Sequence, residues 1–91
     1  MPCDRIETLT PGRTAVVGGR LRAVVYTPTE NVPTLEAELY DGTQSILLVW
    51  LGRRRIAGIE PGRRLIARGR VGVCEGRSVI YNPWYELQCG R

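Results

Sequence analysis

Leu35-Glu-Ala-Glu-Leu-Tyr40-Asp-Gly-Thr-Gln-Ser45-Ile-Leu-Leu-Val-Trp50-Leu-Gly52 reads as two strands joined by a tight turn. Leu35, Ala37 and Leu39 alternate with Glu36, Glu38 and Tyr40, the period of a strand with one buried face. Asp41-Gly42 supplies the turn, because aspartate favours turns and glycine tolerates positive φ. The second strand is apolar almost throughout, so alternation does not choose its inner face. A four-residue turn over 41–44 does choose, by setting Leu48 opposite Ala37 and Trp50 opposite Leu35. Leu48 and Trp50 then point inward, and Leu47, Val49 and Leu51 lie outside, where they need a cover or a partner. A basic crossover follows over 53–62, too short for more than one or two helical turns and weakened as a helix by Gly58. A further strand returns with Leu65, Ala67, Gly69, Val71 and Val73 on alternate positions.

Residues 14–26 form one long strand. Ala15, Val17, Gly19, Leu21, Ala23 and Val25 share one face; Arg20, Arg22 and Tyr26 fall on the other. The central Gly18-Gly19 pair predicts a bulge or sharp bend, which lets the two halves of the strand pair with different partners. Such a bend is what closing a barrel requires. Residues 27–33, with two prolines, form a loop. Residues 1–13 read as a lead-in that pairs with nothing obvious, and 14–91 as one barrel domain. Beyond the fourth strand, Glu75-Gly76 marks a hairpin, and a fifth strand from Ser78 ends at Asn82-Pro83 with Tyr81 inside. Trp84 to Leu87 continues as a short segment against the barrel mouth. The expected fold is all-β, with five strands and a short crossover between the third and fourth.

The chain has 91 residues, no histidine, and a net charge of +4 carried by arginine alone. Without histidine or a C-x-x-C pair, no zinc site is expected, and Cys3, Cys74 and Cys89 read as reduced thiols. No run approaches the roughly 20 apolar residues of a membrane helix, and the N-terminus lacks the apolar core of a signal peptide. A cytoplasmic protein without cofactors or membrane contact is expected. Glu36 and Glu38 share a strand face, but nothing in the sequence marks them for shifted pKa values, so no enzyme is expected.

The segments Gly18 to Val25, Leu39-Tyr40-Asp41-Gly42-Thr43, Leu48-Val49-Trp50-Leu51-Gly52, Pro61-Gly62-Arg63-Arg64-Leu65 through Val71, and Ile80-Tyr81-Asn82-Pro83 carry a resemblance. They are similar to the small OB-fold nucleic-acid-binding family of actinobacteria, and more distantly to the wedge domain of RecG helicase and to anticodon-binding OB domains. The resemblance implies a five-stranded Greek-key OB barrel that binds single-stranded or branched nucleic acid, DNA or RNA, in recombination or repair. There is no G-x-x-x-x-G-K-[ST] motif for a motor.

Single-strand binding asks for a cationic lane and flat π surfaces. Arg20 and Arg22 are placed to lie beside Arg68 and Arg70 if the first and fourth strands pair. Arg53, Arg54 and Arg55 sit on the crossover, and Arg63, Arg64 and Arg77 flank turns. Tyr26, Tyr40 and Trp84 are the aromatic candidates, whereas Trp50 reads first as core. Each has a plainer alternative. Arg22 facing Glu38 makes a cross-strand ion pair, and the Arg53 run makes a solvated loop. The competing function is a protein-interaction domain, partnering another protein or a second copy through Leu47, Val49 and Leu51.

Overall fold

A computed structural model of the chain describes residues 2–28 and 31–89. Positions 29 and 30, in the middle of the predicted loop, lie outside the described residues, as do positions 1, 90 and 91. The fold is all-β: β1 (Thr14–Thr27), β2 (Thr34–Tyr40), β3 (Ser45–Leu51), β4 (Arg64–Arg70), β5 (Gly72–Cys74), β6 (Arg77–Tyr81) and β7 (Trp84–Leu87) form one mixed sheet ordered β5-β6-β3-β2-β1-β4-β7. There are seven strands instead of the expected five. The fourth predicted strand breaks at Val71 into β4 and β5, and the segment after Pro83 pairs as β7 along β4. The crossover between β3 and β4 contains no helix among the described residues. Ile56 and Ile59 instead drop from it into the core, so side-chain burial holds this loop in place of helical hydrogen bonds.

The hairpin has the register that the turn predicts, with Ala37 opposite Leu48 and Leu35 opposite Trp50. Ile46, Leu48 and Trp50 point inward against Leu35, Ala37 and Leu39. Outside, the expectation holds only in part. Leu51 is 43% exposed, but Val49 is 5% exposed, so the three residues do not form one open apolar strip. Val49 is enclosed because β6 runs parallel to β3 and sets Tyr81 beside it.

β1 does pair with two strands, Thr14 to Arg20 with β4 and Arg20 to Thr27 with β2. Its irregularity lies at Arg22, between Leu21 and Ala23, and not at the glycine pair. The extra residue reverses the alternation beyond it. Ala15, Val17 and Leu21 face the core before the bulge, and Val24 and Tyr26 pack against it afterwards. Tyr26 therefore turns inward, against the expectation, and Val25 outward. Gly19 serves close approach. A Cβ there would fall 2.2 Å from the Tyr40 carbonyl oxygen, so only glycine lets β2 end so near β1.

No ladder joins edge strands β5 and β7 among the described residues. The sheet nonetheless curls, because β4 and β5 stand on opposite sides of the strand order with only the buried Val71 between them. Gly69 permits the crossing of β4 over β6, since a Cβ there would meet the Ile80 methyl at 2.5 Å. The lead-in is not idle either. A single 3₁₀ turn, Ile6–Thr8, inserts Ile6 into the core beneath the β2–β3 hairpin.

Candidate nucleic-acid interface

Strand alternation dictates where the charges of β4 go. Leu65 and Ala67 face the core, so Arg64, Arg68 and Arg70 face solvent together. The β1–β4 register sets Arg20 directly across from Arg64, Val16 across from Arg68 and Thr14 across from Arg70. β7 extends the same outer face, with Trp84 paired to Arg68 and Glu86 to Ile66. Trp84 is 46% exposed, and the Arg68 guanidinium carbon lies 5.5 Å from its ring centroid. Among the described residues, no carboxylate forms an ion pair with Arg20, Arg64, Arg68 or Arg70. Four guanidiniums that form no ion pair among the described residues thus share the outer side of β1, β4 and β7 with an exposed indole and with Glu86.

Arg20 and Arg22 do not share this surface in the way the sequence suggests. Arg22, at the bulge, is already engaged: its Nη2 is 3.1 Å from Glu38 Oε2 and its guanidinium lies 4.2 Å from the ring centroid of Tyr40, the residue across from Arg20. Arg77 reaches the same carboxylate oxygen at 3.6 Å and donates to Ser45 Oγ. The hydrogen bond from Arg22, with help from Ser45 and both arginines' charges, holds the Glu38 carboxyl below its usual range. Here the cross-strand ion pair describes Arg22. Arg53, Arg54 and Arg55 are all exposed on the loop after β3, apart from the β4 group, with Arg54 5.9 Å from the Tyr26 ring centroid.

The aromatics divide likewise. Trp50 is core, packed edge-to-face on Tyr85 with ring centroids 5.7 Å apart. Tyr81, expected inside, is 49% exposed, because the inward positions of β6 fall to Val79 and Ile80. Its hydrogen bond with Cys74 holds the phenol above its usual pKa. Tyr40 stays at the surface, across β1 from Arg64. Arg64 reads in the sequence, with Arg63, only as a cation flanking a turn and not as a contact residue. It stands next to a turn in the chain, and only the β1–β4 register reveals that it faces Arg20.

A groove with a cavity volume of about 700 Å³ opens on this face. Gly18 and Gly19 form its floor, and Tyr40, Arg20, Arg64 and Gln88 cross it from strand to strand. Cys3, whose Sγ lies over Gly18, and Cys89 also line it, and both are exposed. Asp41 is also on its wall. Burial alone would raise the Asp41 pKa, but the Thr43 hydroxyl and the backbone N–H groups of Ile6, Thr43 and Gln44 donate to its carboxylate and hold it at about 2.

The fold recurs in a larger protein. The chain aligns with part of RecG in the structure of RecG bound to a three-way DNA junction, with a TM-score of 0.76 and 22% sequence identity over 93% of this chain. The aligned region is 12% of that RecG chain, so this chain matches one small part of it. No protein-family model matches the sequence, and no curated protein does.

Proposed function

We propose that the chain is a non-catalytic nucleic-acid-binding module of the OB type, taking single-stranded or branched DNA or RNA across the outer face of β1, β4 and β7. The observation that carries this reading is the grouping of Arg20, Arg64, Arg68 and Arg70 without partnering carboxylates beside the exposed Trp84. Guanidiniums fork onto phosphate oxygens, and an exposed indole offers a face to an unstacked base. The likeness to RecG, solved on a DNA junction, supports a DNA partner. Arg22 and Arg77 are left out of the lane, because Glu38 already neutralises part of their charge.

Fluorescence anisotropy with labelled single-stranded, forked and duplex oligonucleotides tests the proposal. Binding to the single-stranded and forked probes at low salt, weakening as salt rises, is the expected result. Absence of binding to every probe at low salt would sink it. A second reading has one observation in its favour: Leu51 and Tyr81 expose apolar surface on the β3–β6 side, away from the arginines. That side suits a protein partner or a second copy, and light scattering of wild type against Leu51→Glu would reveal it.

A further inference from the structure

We propose that the groove between Arg20 and Arg64 is a seat for one phosphate group of a nucleotide, with the attached sugar and base lying toward Tyr40 or Gln88. This deepens the nucleic-acid reading and rests on it for the class of ligand. Arg20 and Arg64 are cross-strand partners on the same face of an antiparallel ladder. Like charges directly opposite each other destabilise a sheet, so the empty arrangement carries a penalty that an anion between them removes. No described carboxylate takes that place.

The surroundings are shaped for a ligand group. The space over Gly18 is held by the Cys3 thiol, which would lie 3.0 Å from a Cβ there, so the room for a phosphate is the groove beside it, lined by Arg20 and Arg64. Tyr40, Arg20 and Arg64 follow one another across β2, β1 and β4, and Gln88 continues the row through its N–H bond to the Arg64 carbonyl. Arg22 already stacks on the Tyr40 ring, so what the row offers a nucleotide is two cations for its phosphate and the Gln88 amide beside them. The one carboxylate on the wall, Asp41, has both oxygens occupied by N–H and hydroxyl donors from Ile6, Thr43 and Gln44. Those bonds leave it ionised and anchor the N-terminal segment that bounds the groove. A cavity of about 700 Å³ lies within the range of small-molecule sites.

The phosphate has two possible carriers, a free nucleotide or a strand of nucleic acid, and the test separates them. The Nε–H signals of the arginines are followed by NMR in the full chain at about 0.15 M salt. Inorganic phosphate, deoxythymidine monophosphate and a short deoxythymidine oligonucleotide are added in turn. Saturable shifts confined to Arg20 and Arg64 with the mononucleotide, weakened at least about tenfold by Arg64→Gln and untouched by Arg68→Gln, support the seat. Oligonucleotide binding that ignores Arg64→Gln overturns the seat while leaving the lane over Arg68 and Arg70. Mononucleotide binding without oligonucleotide binding keeps the seat and overturns the lane. Weak, linear shifts at all arginines alike mean only a diffuse positive field, and also overturn the seat. Both arginines are exposed, and an unchanged amide spectrum certifies that each variant is folded.

Discussion

Asp41→Asn strikes the contact that ties the start of the chain to the β2–β3 turn. In the native fold, Asp41 Oδ2 accepts from the Ile6 N–H at 2.8 Å, and Oδ1 accepts from Thr43 Oγ1 at 2.7 Å and Thr43 N at 2.9 Å. The carboxyl falls from an ordinary 3.8 to about 2. At about 1.4 kcal/mol per pH unit, that gap corresponds to at most about 2.5 kcal/mol of stability. Asp41 is only partly buried, so solvent screening reduces the figure to about 1–2 kcal/mol. The sign follows from the lowered folded-state pKa. The stabilisation is complete above about pH 4 and is lost as the pH falls through about 2. Urea unfolding followed by the fluorescence of buried Trp50 should show the variant about 1–2 kcal/mol less stable near neutral pH, converging with wild type near pH 2. Hydrogen exchange should also quicken at Ile6. A deficit below about 0.3 kcal/mol, or one of equal size at both ends of the pH range, would refute the clamp.

Gly69→Ala should cost about 1–3 kcal/mol in the same unfolding assay, because its new methyl must displace Ile80 where β4 crosses β6. Trp84→Ala should leave stability nearly unchanged yet weaken oligonucleotide binding by about 1–3 kcal/mol, as read by anisotropy. Trp50→Ala should instead cost about 3–5 kcal/mol of stability, since that indole is buried against Tyr85. Arg22→Ala should lower stability by under about 1 kcal/mol, the worth of an exposed ion pair to Glu38.

The hairpin was legible because its information is local. Asp41-Gly42 fixes the turn, and the turn fixes which of Leu47 and Leu48 faces in. The double pairing of β1 was legible from its length and its glycines. The position of its bulge was not, since nothing in Leu21-Arg22-Ala23 distinguishes it from regular strand. That single extra residue turned Tyr26 inward and Val25 outward. Errors at Val49 and Tyr81 share a cause: the parallel pairing of β3 with β6 joins segments about 30 residues apart and leaves no mark on either. Ile6 was hidden in a polar segment, with the carboxylate that anchors it 35 residues away. The candidate site was half visible. Arg68 and Arg70 share a face by alternation alone, whereas the opposition of Arg20 to Arg64 is a matter of long-range register.

On the proposed function, the binding of nucleic acid falls to the β4 arginines, which form no ion pair among the described residues, and not to those already held by Glu38. The slope of log affinity against log salt for a single-stranded oligonucleotide measures it, in wild type, in Arg68→Ala with Arg70→Ala, and in Arg22→Ala with Arg77→Ala. The β4 double variant should flatten the slope by about 0.7 for each phosphate that it no longer neutralises, with the second double variant close to wild type. An unchanged slope in the first variant and a flattened one in the second would place the nucleic acid over Arg22 and Arg77 instead and overturn the proposal.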